Sequence, residues 1–129
     1  MSKRTLEYMV AKFATVYTTY KIYPIRRMLV KDFNYASMWV FEEIKTRRAY
    51  LKYLKGKLRT IKKSVGEGAV VNADLVYDTH TNVPYLLLTQ DEKDALLVFV
   101  AEKGKLKRAD LCSVDYYSYS YQRKEESMN

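Results

Sequence analysis

The stretch from Asp32 to Ile61 changes from a two-residue repeat of apolar side chains to a helical repeat, without a turn-rich break. In its first part, alternate residues would lie on one face of a strand. In its second part, leucines, tyrosines and an isoleucine recur every three to four residues, as on one side of an amphipathic helix. The alternating set is Phe33, Tyr35, Ser37, Trp39 and Phe41. A strand that leads directly into a long helix limits the chain to folds that mix both elements.

The rest of the chain adds helices before this stretch and strands after it. Apolar spacing predicts a helix over residues 5–20, and Pro24 can sit near the start of a short helix over 25–29. The long helix is predicted from residue 43 or 45 to about 64. Four strands separated by turn-forming groups follow it. Their predicted ranges are 69–77, 85–90, 95–101 and 106–117.

The order of elements is helix, short helix, strand, long helix and a four-stranded antiparallel meander, which is an α+β arrangement. With a curved sheet wrapped around the helices as a cone, it resembles the nuclear transport factor 2-like superfamily, which has a cystatin-like fold. That superfamily includes SnoaL-like polyketide cyclases, ketosteroid isomerase and scytalone dehydratase. The resemblance rests on the cadence from Asp32 to Trp39 and on the helical segment from Arg47 to Leu54, although Thr46 stands where such families usually have glycine.

Length and composition favour one domain without a metal or another cofactor. A chain of 129 residues fits a single core, predicted here over residues 1–121, with a frayed tail over 122–129. One cysteine and one histidine exclude an internal disulfide and a zinc site built from clustered thiols and imidazoles. The first residues lack the apolar core of a secretory signal, and no apolar run is long enough to span a membrane. We therefore expect a cytoplasmic protein that does not bind membranes.

The resemblance implies a pocket at the mouth of the cone, which holds a carboxylate or histidine base in the enzymes of the superfamily. Asp74 and Asp110 are the candidate catalytic residues within strands. A carboxylate on the inner face would be desolvated, and its raised pKa would suit metal-independent acid–base chemistry such as isomerisation, dehydration or cyclisation. Strand alternation leaves open which face is inside. Each aspartate could instead lie at the surface, and Asp110 could pair with Arg108.

A pocket of this kind would bind a small, partly apolar molecule whose identity the sequence does not give. Thirteen tyrosines against four phenylalanines supply many rings with a polar tip, which suit a half-polar cavity or an interface. Ordinary core packing is the alternative for each ring, and an exposed loop position is the alternative for the histidine. The candidate lining residues are Tyr17, Tyr20, Tyr35, Trp39, His80, Gln90 and Phe99.

The long helix is strongly basic on one side. Between Lys45 and Lys63 there are nine lysines and arginines and no acid, in a chain whose net charge is +8. We interpret this side as a solvated face, because base-stacking aromatic residues are not interleaved with the charges in the helix. The alternative is a non-catalytic module that binds nucleic acid or an acidic protein through helix 45–63. The basic stripe consists of Arg48, Lys52, Lys55, Arg59 and Lys62.

The strand over 95–101 is apolar on both faces, which predicts that both faces are covered. One cover would be the helices, and the other would be a second copy of the chain or the sheet's own curl. Tyr117, Tyr119 and Tyr121 could also lie on one face of the last strand and form a dimer contact. We therefore expect a homodimer.

Overall fold

A computed structural model describes residues 5–114 and 119–121, apart from the side chains of Phe41 and of 119–121. The predicted tail over 122–129 and Tyr117 lie outside these residues, so both predictions stand as they were. No helix in the described ranges combines the length and apolar character needed to cross a membrane.

The described chain contains three helices and seven strands. The helices are α1 (Leu6–Thr19), α2 (Tyr23–Arg26) and α3 (Arg47–Gly66). The strands are β1 (Leu29–Ser37), β2 (Val40–Lys45), β3 (Val71–Asp78), β4 (Pro84–Gln90), β5 (Lys93–Glu102), β6 (Lys105–Cys112) and β7 (Tyr119–Tyr121).

The seven strands form one sheet in the order β2-β1-β6-β5-β4-β3-β7. Neighbouring strands are antiparallel except β1 and β6, which are parallel. The α+β class is confirmed, and the predicted four-stranded meander corresponds to β3–β6. The sequence predicts a sheet of these four strands and one earlier strand, β1. That prediction is wrong, because β2 and β7 add a further strand at each edge of the sheet.

The single strand predicted through Phe41 is a hairpin. Met38 and Trp39 form its turn, and the Ser37 hydroxyl accepts a hydrogen bond from the Trp39 amide at 3.3 Å. Ser37 pairs with Val40 and Tyr35 with Ile44, and directly paired residues lie on the same face of the sheet. The turn therefore shifts the inward positions from odd to even numbers, so the predicted alternation of odd residues does not continue into β2. The alternation correctly predicts Phe33, Tyr35 and Ser37 on the buried face of β1.

The helix boundaries follow from local capping. The Thr5 hydroxyl accepts from the Tyr8 amide at 3.1 Å, and the Thr46 hydroxyl accepts from the Ala49 amide at 3.0 Å. Thr46 therefore caps the start of α3, and the predicted start at residue 43 or 45 is wrong because those residues belong to β2. The short helix ends before β1 begins at Leu29, earlier than predicted.

All three helices contribute to one core against the sheet. Helix α1 packs on β3, β4 and β6, while α3 packs on β1 and β2. The shared core includes Phe13, Leu29, Phe33, Leu58 and Leu106, which are almost fully buried. A smaller cluster lies on the other face of the sheet. Its buried members are Val76, Tyr85, Leu87 and Leu96.

The two faces of β5 differ in how well they are covered. Leu97 and Phe99 face the helices and are buried, as the sequence predicts. On the other face, Leu96 is buried, but the side chain of Val100 is 45% exposed. The outer face of this strand is thus covered at one end and open to solvent at the other within the described structure.

Gly56 lies inside α3 with nothing within 4 Å of a Cβ added to it, so tolerance rather than close packing explains this glycine. Gly56→Ala should raise the free energy of unfolding by about 1 kcal/mol, because alanine is the better helix former. Gly68→Ala is the opposite control. Because Gly68 has φ +106°, alanine at this position should lower the free energy of unfolding by about 1 kcal/mol. Urea unfolding of both variants checks this, and a destabilised Gly56→Ala variant would contradict it.

Candidate ligand-binding cavity

A cavity of about 550 Å³ lies between α3, the end of α1 and the inner face of the sheet. Its apolar wall comes from aliphatic residues of the strands, where every second side chain points to the same face, and from aliphatic residues on one side of the helix. Cavities of this size hold small organic molecules. The apolar lining residues are Leu54, Ile61, Val71, Leu88, Ala95, Leu97 and Leu111.

Four tyrosines from three elements meet in this cavity. Tyr17 comes from α1, Tyr35 from β1, and Tyr50 and Tyr53 from α3. The ring centroid of Tyr35 lies 5.0 Å from that of Tyr50 and 5.4 Å from that of Tyr53, and the two α3 rings are 6.3 Å apart. We call these four residues the tyrosine cluster.

Three members of the tyrosine cluster are held in their neutral form. Burial raises the pKa of Tyr17, Tyr35 and Tyr50 above the ordinary value of 10.0. Electrostatic interaction with Tyr53 raises the pKa of all three further, and a hydrogen bond with Tyr53 adds to this effect at Tyr35. Near neutral pH these hydroxyls are therefore hydrogen-bond donors and acceptors, not bases.

The rim of the cavity is polar. Gln90 and Lys93 pair across the β4–β5 hairpin, and Thr89 pairs with Asp94 beside them. Lys57 reaches the rim from α3, two helical turns after Tyr50. The cavity thus has an apolar wall, hydroxyl groups inside and charges of both signs at its entrance.

The structure brings four of the seven predicted lining residues to the cavity wall: Tyr17, Tyr35, Trp39 and Gln90. Trp39 belongs to the β1–β2 turn and is 58% exposed. The other three residues lie elsewhere.

Each of the three other predicted residues has a different environment. Tyr20 ends α1 in a left-handed conformation with φ 62° and lines a surface depression. Phe99 is core, with its ring centroid 5.0 Å from that of Phe13. His80 is exposed in a loop whose backbone is fixed by Asp78, since the Asp78 carboxylate accepts from the amides of His80 and Thr81 at 2.8 and 2.9 Å. These hydrogen bonds lower the pKa of Asp78.

The two candidate catalytic aspartates lie on the sheet face opposite the cavity. Asp74 shares its strand face with Val76, whose side chain belongs to the outer cluster. Asp110 is opposite Val98 in the sheet, and its carboxylate accepts from the Arg108 guanidinium at 2.9 Å. Arg108 also pairs with Glu43 at 2.5 Å. Neither aspartate lines the cavity, and Asp110 has the arginine partner that the sequence offered as the alternative.

Sequence reasoning missed Tyr50, Tyr53, Lys57 and Asp94 as cavity residues. The first three are spaced by three and four residues, so they lie along one side of α3. That spacing is a usable signal, but it does not distinguish a cavity from solid core. Asp94 sits in a turn-forming group that could not be placed before the β4–β5 register was known.

No protein-family model and no curated protein matches the chain. Two crystal structures are similar to it in fold. One is a nuclear transport factor 2-like protein of unknown function from Cytophaga hutchinsonii, with 12% identity, a TM-score of 0.60, and coverage of 91% of this chain and 93% of that one. The other is a candidate polyketide cyclase from Pseudomonas putida, with 9% identity, a TM-score of 0.55, and coverage of 95% of both chains. At such identities the likeness shows the fold.

The raised pKa values predict a loss of stability in alkali. Unfolded tyrosines ionise near pH 10.0, whereas the buried ones stay protonated. The free energy of unfolding should therefore be unaffected by these groups below pH 10 and fall above it, by up to about 1.4 kcal/mol per pH unit for each such tyrosine. Tyr35→Phe should reduce this slope in urea unfolding between pH 9 and 11. Tyr23→Phe, at an exposed tyrosine, should leave the slope unchanged.

Proposed function

We propose that this domain, which has the nuclear transport factor 2-like fold predicted from its sequence, binds a small, partly apolar molecule in the cavity. The observation that carries the proposal is the tyrosine cluster inside an otherwise apolar cavity of about 550 Å³. The Tyr35 hydroxyl bonds with Tyr53, and no buried side-chain polar atom of the described residues lacks a partner. Because a hydroxyl both donates and accepts, the cluster can also bond a ligand oxygen within the cavity.

The chemistry of the wall defines the class of ligand. Neutral tyrosine hydroxyls donate to a carbonyl, phenol or enol oxygen, and the leucines and valines suit an aromatic or alicyclic body. Lys57 at the rim adds a positive charge, so the oxygen can be anionic. The candidate polyketide cyclase of the same fold is named for a class of substrates rich in such oxygens, which supports this assignment.

Acid–base turnover of that ligand would need a base on the cavity wall. Asp74 and Asp110 face away, and among the described lining residues Asp94 is the one carboxylate. It is exposed to solvent at the rim and not enclosed among the tyrosines. We therefore propose ligand binding as the main function. An isomerase, dehydratase or cyclase reaction that depends on Asp94 is the second candidate.

The binding site can be tested with 2-naphthol, a bicyclic phenol that matches the cavity in polarity. Calorimetric titration should show binding to the unmodified protein. Tyr35→Phe keeps the ring but removes a hydroxyl, and should weaken binding by about fivefold, the effect of one hydrogen bond. Ala95→Phe should abolish binding because the larger side chain fills the cavity from β5.

Tyr23→Phe is the matched control, since it removes a tyrosine hydroxyl from an exposed position outside the cavity. Its affinity for 2-naphthol should equal that of the unmodified protein. Equal affinities for all three variants would place any 2-naphthol site elsewhere and contradict the proposal. Circular dichroism of Ala95→Phe confirms that lost binding is not lost folding.

We also propose that the partly exposed outer face of β5 packs against a second copy of the chain in a cytoplasmic homodimer. The support is the apolar outer face of β5, where Val100 is 45% exposed and Val98 is partly buried against the outer cluster. Sedimentation at micromolar concentration should show a dimer, and Val100→Lys should shift it toward monomer. Val70→Lys, at a residue that is 57% exposed before β3, is the control. A monomeric unmodified protein contradicts the proposal.

A further inference from the structure

A second surface feature runs along the side of α3 that faces away from the cavity. Two depressions of about 700 and 470 Å³ lie between α3 and the segment that joins α1 to β1. Both are lined by Ile22 and Lys55, so they form one continuous groove. We call it the basic groove. It contains none of the residues that line the cavity.

The basic groove concentrates positive charge. The predicted basic stripe of α3 lines it in full, from Arg48 to Lys62, and Arg47 extends the stripe at the start of the helix. Lys21, Arg26 and Lys31 line the opposite side, so both walls are cationic. Among the described residues that line it there is no aspartate or glutamate.

These cations lack acidic partners within the described structure. The ion pairs there all involve Lys107 or Arg108, which lie on the sheet far along the chain from the groove. Arg47 donates to the Leu29 carbonyl at 3.2 Å, which fixes the start of α3 to β1. Like charges gathered on two facing walls repel one another, and an anionic ligand would relieve that repulsion.

Two tyrosines from outside α3 lie along the same groove. Tyr23 is 72% exposed at the start of α2, and Tyr20 carries the Lys62 ammonium over its ring at 5.9 Å. The expectation that aromatic residues are absent from the basic side is therefore wrong. It considered only residues of the helix itself, and the fold brings these rings from the preceding connection.

We propose that the basic groove binds single-stranded nucleic acid. The cations from Arg48 to Lys62 span about 21 Å along the helix at 1.5 Å per residue. One strand of B-form geometry carries a phosphate every ~3.4 Å, so this length spans about six phosphates, of which the five cations of the basic stripe can each contact one. Arginines offer paired donors to phosphate oxygens, and the exposed ring of Tyr23 offers a face on which a base can stack.

The exposed ring of Tyr23 favours nucleic acid over other polyanions as the ligand of the groove. An acidic peptide or an inorganic polyphosphate needs only the charges, whereas a nucleic acid also uses an exposed aromatic face. A single strand fits better than a duplex, because only unpaired bases expose the face that Tyr23 would contact. The groove therefore recognises backbone phosphates and an unstacked base, without reading a particular sequence.

The test uses the full chain and a fluorescein-labelled 12-nucleotide oligothymidylate, with binding followed by anisotropy. The groove variant Lys52→Glu, Lys55→Glu and Lys62→Glu should lose at least about tenfold in affinity. Tyr23→Ala should lose about fivefold or more, the effect of one stacked base. The logarithm of the association constant should fall with the logarithm of salt concentration with a slope of about −3.5, for five phosphates on a single strand.

The control variant Lys12→Glu, Lys103→Glu and Lys105→Glu makes the same change in net charge at exposed lysines outside the groove. Like the groove variant, it removes one lysine that lies over a tyrosine ring, here Tyr8. It should bind within about twofold of the unmodified protein, as should Tyr8→Ala.

Three results overturn the proposal. The first is an equal loss of oligothymidylate affinity in the groove and control variants, which would mean that the net charge of the protein alone attracts the strand. The second is oligothymidylate binding that is unaffected by Tyr23→Ala, together with equal affinity for polyglutamate of the same length, which would indicate an acidic protein partner. The third is no binding of oligothymidylate at low salt. Circular dichroism of each variant shows whether it is folded.

Discussion

The burial of Tyr50 is the interaction on which the rest of the structure depends. Its ring contacts Phe13 of α1 and both Phe33 and Tyr35 of β1, with centroids 5.0 to 6.4 Å apart. One side chain thus joins the two longest helices to β1 of the sheet. Because α3 is fixed at this point, Tyr53 follows on the same side and its hydroxyl reaches the Tyr35 hydroxyl. The packing of Tyr50 in the core therefore determines where the tyrosine cluster lies.

Helix α3 serves three environments at once. Leu58 is buried in the core, and the basic stripe faces the groove. The residues of α3 that line the cavity are Tyr50, Tyr53, Leu54, Lys57 and Ile61. A helix with 3.6 residues per turn separates these sets by rotation alone, so the charges do not compete with the core for the same side. Its amphipathic pattern therefore encodes more than burial, since the polar side is itself divided between two surfaces.

The sequence predicts best where the pattern of one element decides the outcome. The apolar stripe of α3 and the inward positions of β1 are of this kind, because burial of one face follows from periodicity. The sequence predicts poorly which residues of two different elements lie side by side. The face of Asp74 and Asp110 depends on which side of the sheet the helices cover, and alternation is symmetric in that choice. The β1–β2 turn was missed because Met38 and Trp39 are not typical turn-forming residues. The tyrosines beside the basic stripe were missed because they reach the groove from another element.

The two proposed sites use opposite electrostatic strategies. In the cavity, neutral hydroxyls act at contact distance in an apolar setting, where hydrogen bonds are strong and salt has little access. In the basic groove, exposed charges act over about 8 Å at physiological salt and lose strength as salt increases. A small ligand held by the tyrosine cluster should therefore be nearly indifferent to salt, whereas a polyanion in the groove should not. Since both sites lie on α3 but share none of its residues, ionic strength can separate their contributions in one protein without any substitution.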